Sequence, residues 1–303
     1  MKIYLNNLKE DWVIDRFKNE WETYNQDITV DNPKDADVIW IIAPWLWKNV
    51  RKKYLKSKKV ICSIHHIEEF KMDDKYLNDF NNRDSYVDEY HVISNKTKLQ
   101  LEKLTKKKIT SIPFWVNQKI FYSLEDNTML KEKYGLPEND YLIGSFQRDS
   151  EGSDPMMPKH IKGPDQFIEI VKHLKNIHSD LTVVLTGKRR EYIKNELSKI
   201  NVKFSIFEMV DFDSLNELYN CLNLYIVASR IEGGPQAIME CSITKTPIIS
   251  TDVGVAAEIL PPNSIFDMNT FKKATPDVEK SYENVLKFVI PNGFQKYREM
   301  FTR

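Results

Sequence analysis

Short apolar segments alternate with amphipathic stretches along the whole chain. Ten short apolar segments predict strands at 2-5, 38-42, 60-64, 90-93, 109-113, 141-146, 181-186, 203-207, 223-228 and 247-251. Stretches with apolar residues at helical spacing predict helices at 11-24, 97-105, 163-177, 189-199, 213-221, 235-244 and 277-288. Strands that alternate with helices are typical of parallel sheets whose faces are covered by helices. We therefore expect an α/β fold.

The alternating pattern breaks once and then restarts. The connection 113-121 and a polar stretch up to residue 140 separate the fifth and sixth predicted strands. A chain of 303 residues is also long enough for two domains of ordinary size. We expect an N-terminal domain at 1-120 and a C-terminal domain at 121-303, and we leave open whether the last helix packs back on the first domain.

The composition is that of a soluble globular protein, with 41% hydrophobic and 29% charged residues. The longest apolar run, 38-47, contains Pro44 and is shorter than the roughly 20 residues of a membrane span. The first residues lead directly into polar sequence without the pattern of a signal peptide, so we expect a cytoplasmic protein. Cys62, Cys221 and Cys241 lie inside apolar stretches without metal-binding spacing, which predicts buried free thiols.

Basic residues are concentrated in the N-terminal half, which carries 22 basic and 18 acidic side chains up to residue 120. The basic cluster 48-59 adjoins Trp45 and Trp47 and consists of Lys48, Arg51, Lys52, Lys53, Lys56, Lys58 and Lys59. Such a mixture is typical either of a solvated helix face or of a peripheral contact with the inner face of an anionic membrane. We keep both interpretations and expect no nucleic-acid partner.

Candidate chemistry is concentrated in the segment 232-240, which contains a glycine loop and the start of the next helix. There a predicted strand ends, Gly233 and Gly234 follow, and Pro235 suits the first position of the next helix. Backbone amides at such a helix start suit an anion or a sugar hydroxyl. Glu232 and Glu240 flank the loop, and both are expected to face one crevice. Because carboxylates only accept hydrogen bonds, they favour a ligand rich in hydroxyl donors, such as ribose or another sugar.

Glu232 and Glu240 have seven residues between them and are followed by the turn 251-254. This arrangement resembles the Glu-x7-Glu element of family 4 retaining glycosyltransferases. The resemblance implies the GT-B fold, in which two Rossmann-like domains face a central cleft. It also implies that Glu240 binds the ribose of the donor, while Glu232 and the amides of Gly233 and Gly234 hold the donor sugar.

The strand at 141-146 runs on to Arg148, and Lys162-Gly163 opens the next predicted helix. These positions resemble the family's Arg and Lys, which implies that Arg148 and Lys162 hold the donor pyrophosphate. Two fixed cations suit a diphosphate that gains charge as it leaves. The loop 149-161 is longer than is usual in the family, which leaves Lys159 as a rival for the lysine role.

Further matches are weaker. Gly187 and Lys188 resemble the next donor-binding strand end, and 207-219 resembles the segment beside the nucleobase. His65 resembles the histidine that faces the donor sugar from the N-terminal domain, with His66 as the alternative. The family's N-terminal glycine-rich loop is missing, since the first strand leads into Asn6-Asn7-Leu8.

The resemblance implies transfer of a hexose from a nucleotide sugar, such as a UDP- or GDP-sugar, to a glycan or lipid-linked acceptor in polysaccharide biosynthesis. Anomeric configuration would be retained. We expect no cofactor and no metal, because Asp35-Ala36-Asp37 precedes a strand as a solvated turn and Asp211 fits a helix N-cap. The alternative is a nucleotide-sugar epimerase of similar fold, and a catalytically silent nucleotide-binding protein is disfavoured.

Overall fold

The computed structural model describes residues 1–6 and 13–303 of the chain. The strands of the described residues are Ile3–Asn6 (β1), Val38–Ile41 (β2), Lys59–Ile64 (β3), Glu89–Val92 (β4), Lys108–Ser111 (β5), Tyr141–Phe146 (β6), Leu181–Thr186 (β7), Lys203–Phe207 (β8), Leu224–Val227 (β9), Ile248–Thr251 (β10) and Ile265–Phe266 (β11). Their α-helices are Val13–Tyr24 (α1), Lys52–Leu55 (α2), Asp74–Asp84 (α3), Asn95–Leu101 (α4), Thr128–Lys133 (α5), Pro164–Lys175 (α6), Glu191–Lys199 (α7), Phe212–Cys221 (α8), Gln236–Thr244 (α9), Ala256–Ile259 (α10), Val278–Val285 (α11) and Gln295–Thr302 (α12).

The predicted alternation of strands and helices is confirmed. All ten predicted strands are present within two residues of their expected bounds, and each predicted helix overlaps an observed one. The predicted helix 11-24 is observed from Val13, and its first two residues, including Trp12, lie outside the described residues. The short strand β11 and helices α2, α3, α5, α10 and α12 were not predicted. All three cysteines are buried free thiols, as expected.

The N-terminal unit comprises residues 1–114 together with 291–303. Its five strands are all parallel and lie in chain order, β1-β2-β3-β4-β5. Trp21 of α1 meets Trp40 of β2 edge-on at 5.3 Å and Phe301 of α12 at 5.5 Å. Arg298 donates to Asn25 Oδ1 at 2.7 Å. The C-terminal helix thus completes the aromatic core of this unit.

The C-terminal unit comprises residues 115–290, so the expected boundary after residue 120 is wrong by six residues. The reason is that the amide of Ile290 donates to the carbonyl of Val116 at 3.2 Å, and Val116 donates in turn to Phe288. These bonds tie the start of the linker to the end of the C-terminal unit. Residues 115–120 therefore belong to the second unit.

The sheet of the C-terminal unit has the order β11-β10-β9-β6-β7-β8, and every pairing is parallel. Strands β6 to β8 are laid down in one direction, and the chain then returns to build β9 to β11 on the other side of β6. In sheets of this kind, ligands bind beyond the carboxyl ends of the strands where the order reverses. The reversal lies between β6 and β9. The sequential order of the N-terminal sheet has no such reversal among the described strands.

The basic cluster 48-59 offers little exposed apolar surface. Trp47 and Leu55 are buried, and Lys48 forms an ion pair with Asp79. Only Trp45, which is 49% exposed, stands out as a large exposed apolar side chain beside the cluster. Within residues 1–6 and 13–303, no helix has the length and apolar character needed to span a bilayer.

Candidate functional site

Three polar side chains meet beyond the carboxyl ends of β6 and β9. Gln147 follows β6 directly, and its Nε2 donates to the backbone carbonyl of Lys162 at 3.0 Å. Ser229 follows β9 by two residues, and its Oγ donates to Glu232 Oε1 at 3.1 Å. Ser229 Oγ also lies 3.5 Å from Gln147 Oε1, so the ends of the two strands meet at the point where the sheet order reverses.

Lys162 and Glu232 form an ion pair at this edge of the sheet. The carboxylate of Glu232 is 11% exposed and the ammonium side chain of Lys162 is 25% exposed. Because both groups are partly shielded from water, their charges act more strongly on each other, and on a bound anion, than fully solvated charges would. The pair places a cation next to a hydrogen-bond acceptor, which is the combination that a phosphorylated sugar requires.

Gly163 brings the segment that carries Lys162 against the end of β9. Its φ is +60°, and a Cβ atom built on it would lie 1.7 Å from the carbonyl oxygen of Ala228. Gln166 Nε2 donates to the same oxygen at 2.7 Å. The amides of Arg230 and Ile231 both donate to the carbonyl of Ile161, two residues before Gly163. Only glycine allows this approach, so residue 163 fixes the distance between Lys162 and the loop 228–235 between β9 and α9, here called the Glu232 loop.

The Glu232 loop is held from its other side by the turn 251-254. Thr251 Oγ1 donates to the carbonyl of Ser229 at 2.6 Å. Gly254 has a φ of +50°, and a Cβ there would lie 2.2 Å from the carbonyl oxygen of Gly233. Pro235 precedes α9 as its N-cap and is not its first residue, so the helix begins one residue later than expected. The backbone of Gly233 is thus held closely against the turn 251-254.

Glu240 is nearly buried in the middle of α9, with 4% of its surface exposed. Tyr219 donates its hydroxyl to Glu240 Oε2 at 2.9 Å. Burial, and then the charge of Glu240, raise the pKa of Tyr219 well above its usual value, so the phenol stays a hydrogen-bond donor. Glu232 is the more accessible of the two carboxylates. The contact of Glu240 with a ribose stays a prediction.

Arg148 and Lys162 both lie within electrostatic range of Lys159, as does Glu232. Arg148 is exposed and Lys159 is half-buried. Burial, followed by the charges of Arg148 and Lys162, lowers the pKa of Lys159, while Glu151 and Glu232 oppose this shift. Lys159 and Lys162 therefore belong to the same cluster. Like charges held together in this way favour the binding of a polyanion.

Gly187 and Lys188 follow β7 on the other side of β6. The φ of Gly187 is +90°, and a Cβ there would lie 3.7 Å from the backbone of Gln147. Lys188 is exposed. The ends of β6 and β7 are therefore adjacent, and both residues predicted to bind the donor lie at the carboxyl edge of the same sheet.

His65 and His66 lie in the N-terminal unit. His65 Nε2 is 2.8 Å from the carbonyl oxygen of Ile42, which fixes that nitrogen as the protonated one. Burial lowers the pKa of His65 to about 4, so its imidazole is neutral at pH 7. His66 is exposed and lies 3.3 Å from Glu68. His91, which the sequence did not single out, is fully buried between Ser63 and the carbonyl of Ile112, directly after β5.

The two Asp-x-Asp spellings have structural roles. Asp37 accepts a hydrogen bond from the backbone amide of Lys2 at 2.7 Å. Asp211 accepts from the amide of Ser214 at 2.8 Å and caps α8, which confirms the predicted N-cap. Within residues 1–6 and 13–303, no group of three or more His, Cys, Asp or Glu side chains is arranged so that it could hold a metal ion.

Gln147 and Ser229 were missed by the sequence analysis, although both follow buried strands. A polar residue directly after an apolar strand is the available signal, but it is too common to single out these two positions. Only the sheet order brings the ends of β6 and β9 together.

Comparison with solved structures identifies the architecture. The structure of HepE from Anabaena in complex with UDP-glucose superimposes with a TM-score of 0.76 at 12% identity, covering 99% of this chain and 98% of HepE. Sucrose-phosphate synthase from Thermosynechococcus elongatus gives a TM-score of 0.70 at 16% identity, covering 98% and 81% of the two chains. The expected fold, two Rossmann-like parallel-sheet domains of the GT-B kind, is confirmed.

Sequence comparison matches part of the chain to a known family. Residues 156–301 match the family model described as glycosyl transferases group 1. The chain is 24% identical over 158 residues to the lipopolysaccharide core biosynthesis mannosyltransferase LpsB of Rhizobium meliloti (strain 1021), a match that covers 50% of this chain and 42% of LpsB. It is 25% identical over 133 residues to LpcC of Rhizobium leguminosarum bv. viciae, covering 42% and 35%. The matches span less than half the length of these relatives.

Proposed function

We propose that the protein transfers a sugar from a nucleotide-sugar donor to a glycan or lipid-linked acceptor with retention of anomeric configuration. The observation that carries the proposal is the Lys162–Glu232 pair at the reversal point of the C-terminal sheet. It supplies a cation and a carboxylate at the edge where sheets of this order bind ligands. The match of residues 156–301, which contain the pair, to the group 1 family model supports the same reaction class.

Donor binding would exchange the partners of this ion pair. A diphosphate oxygen can take the ammonium of Lys162, while a hydroxyl of the donor sugar donates to the released carboxylate of Glu232. Ser229 keeps Glu232 oriented during the exchange through its 3.1 Å hydrogen bond. Each charged group thus keeps a partner, so the exchange avoids leaving a charge partly buried and unpaired.

Catalysis would come from orientation and electrostatics. As the bond to the sugar breaks, negative charge grows on the diphosphate, and Arg148 and Lys162 stabilise it together with the amides of Gly233 and Gly234. Glu240 would bind the ribose while Tyr219 holds its carboxylate. The acceptor hydroxyl attacks on the face that the diphosphate leaves and passes its proton to the departing diphosphate oxygen, which retains the configuration. Fixed cations take the place of a divalent metal in this mechanism.

The relatives suggest which substrates to test first. HepE was crystallised in complex with UDP-glucose. LpsB and LpcC are lipopolysaccharide core biosynthesis mannosyltransferases. We propose a UDP- or GDP-hexose as donor and a saccharide of the cell envelope as acceptor. The segment 7–12, where the family has its glycine-rich loop, contains no glycine and lies outside the described residues, so the choice of acceptor rests on the relatives alone.

A panel of UDP-, GDP-, ADP- and CMP-sugars in a thermal-shift assay tests the proposal. One nucleotide class should raise the melting temperature, because a ligand that binds only the folded state stabilises it by about 2.7 kcal/mol at 100 times its Kd. Arg148→Ala and Lys162→Ala should lose the shift. Lys172→Ala is the matched control, because Lys172 is an exposed lysine on α6 that pairs with Glu169.

No shift with any nucleotide sugar would contradict the proposed function. A shift followed by conversion of the donor to an isomer, with no acceptor present, would identify the epimerase alternative. A shift followed by transfer to an added saccharide would support the glycosyltransferase.

A further inference from the structure

Arg190 is buried beneath the candidate donor site. Its side chain is 2% exposed and stands at the N-cap of α7. Nη1 donates to the carbonyl of Thr186 at 3.1 Å, and Nη2 donates to Ser145 Oγ at 3.2 Å. Nε lies 2.9 Å from Asp149 Oδ2 in an ion pair. One guanidinium therefore joins the end of β7, the end of β6 and the first residue of the loop 149–161.

Asp149 connects this buried pair to two of the three cations. It follows Arg148 directly in the chain, and its backbone carbonyl accepts from the amide of Lys159 at 2.8 Å. Ser150 pairs with Pro158, so the loop closes on itself at its base. Burial raises the pKa of Asp149 to about 6, and the charge of Arg190 opposes that shift. At pH 8 Asp149 is therefore ionised and bound to Arg190.

Two further contacts fix the loop 149–161 to the turn 187–190 that follows β7. Ser150 Oγ donates to the carbonyl of Arg189 at 3.1 Å, and the Arg189 side chain donates to the carbonyl of Gly152. Arg189 itself has a φ of +63°, in the left-handed region that non-glycine residues rarely adopt. A strained backbone of this kind persists only where the surrounding contacts hold it.

We propose that Arg190, through Asp149, is a positioning residue that places the cationic groups of Arg148 and Lys159 for the donor diphosphate. This inference rests on the proposed function. Arg190 does not touch the donor and acts only by fixing the loop that carries the two cations. Arginine suits the role because its planar fork donates in several directions at once, whereas a lysine presents a single ammonium.

Binding of inorganic pyrophosphate tests the proposal without knowledge of the base or the sugar. We would titrate sodium pyrophosphate in EDTA at pH 8 by calorimetry. Arg190→Met should weaken pyrophosphate binding about tenfold, since a displacement of about 1 Å in a positioned group can have a large effect. Arg190→Lys, which keeps a charge for Asp149, should recover part of the loss.

Two further variants separate positioning from folding. Asp149→Asn combined with Arg190→Gln leaves no unpaired buried charge and should show the same loss if the folded fraction is intact by circular dichroism. Arg83→Met removes a buried arginine of the N-terminal unit, where the Arg83 side chain is 7% exposed. It should leave pyrophosphate binding unchanged.

A double-mutant cycle identifies the route of action. Because Arg190 acts through Arg148 and Lys159, Arg190→Met should cause a much smaller loss in a background with both Arg148→Ala and Lys159→Ala than in the wild type. An equal loss in both backgrounds, or wild-type binding by the folded Arg190 variants, would overturn the inference while leaving the proposed function intact. Failure of the wild type to bind either pyrophosphate or any nucleotide sugar would instead overturn the proposed function, and this inference with it.

Discussion

Replacing Gly163 with alanine should separate Lys162 from the Glu232 loop. The added Cβ would lie 1.7 Å from the carbonyl oxygen of Ala228, whereas ordinary contacts begin at 3.4 Å. The two segments would have to move apart by about 1.7 Å, the difference between these distances. The displaced oxygen belongs to the backbone at the end of β9, so no flexible side chain can absorb the movement.

The loss of folding stability in Gly163→Ala has two parts, which a matched control separates. An alanine in the left-handed region costs roughly 1–2 kcal/mol, and overpacking typically adds about 1–3 kcal/mol. Gly135 has a φ of +59°, close to the +60° of Gly163, but nothing lies within 4 Å of a Cβ built on it. Gly135→Ala should therefore cost only the first part, and Gly163→Ala about 2–5 kcal/mol in all.

Both glycines lie in the C-terminal unit, so urea unfolding of that unit reports on both variants. Pyrophosphate titration of the folded variants then reports on the site. Gly163→Ala should lose affinity because Lys162 moves, and Gly135→Ala should keep it. Equal destabilisation by the two substitutions, or unchanged pyrophosphate affinity in Gly163→Ala, would refute the close-approach argument.

Three further outcomes are expected. Tyr219→Phe should weaken nucleotide binding less than Glu240→Ala does, because it removes only the donor that orients the carboxylate; a larger effect of Tyr219→Phe, by calorimetry with UDP and GDP, would contradict this order. Burial lowers the pKa of His91 to about 3, below its value of 6.5 in the unfolded chain, so the stability that the neutral imidazole contributes is lost as the pH falls below 6.5. Between pH 7 and pH 5 the free energy of unfolding of the wild type should fall by about 2 kcal/mol more than that of His91→Gln. If urea unfolding shows the same pH dependence for both proteins, His91 does not have this role. The protein should not co-sediment with anionic liposomes at 0.15 M salt, because Trp47 and Leu55 of the basic cluster 48-59 are buried. If it does co-sediment, and a charge reversal in the cluster abolishes this binding, the membrane interpretation is established.

The elements of the fold could be predicted because apolar runs and helical spacing are local properties. Each strand of the C-terminal sheet except β11 is a run of four to six residues, and β11 has only two residues. The order of the strands could not be predicted, because it depends on contacts between segments far apart in the chain. The sequential order of the N-terminal sheet and the packing of α12 against Trp21 have no local signal of this kind.

The candidate site was predictable in part for the same reason. Glu232 and Gly233 form a local pattern, and Lys162 stands next to a glycine that opens a helix. The Asp149–Arg190 pair joins residues 41 positions apart, and its role depends on the adjacency of β6 and β7. A buried arginine also reads in the sequence as an ordinary surface charge. Its function becomes visible only when the ends of the strands are placed side by side.

Release of nucleoside diphosphate from the nucleotide sugar selected by the thermal-shift panel tests the central claim most directly. It should be measured with acceptor saccharides present, after exhaustive treatment with EDTA. We predict that the wild type and Lys172→Ala turn over at equal rates, while Arg148→Ala and Lys162→Ala are each slower by about 100-fold and are not rescued by magnesium or manganese. Loss of wild-type turnover on chelation, restored by manganese, or unchanged turnover in the Arg148 and Lys162 variants, would contradict a donor site built from fixed cations at the edge of the C-terminal sheet.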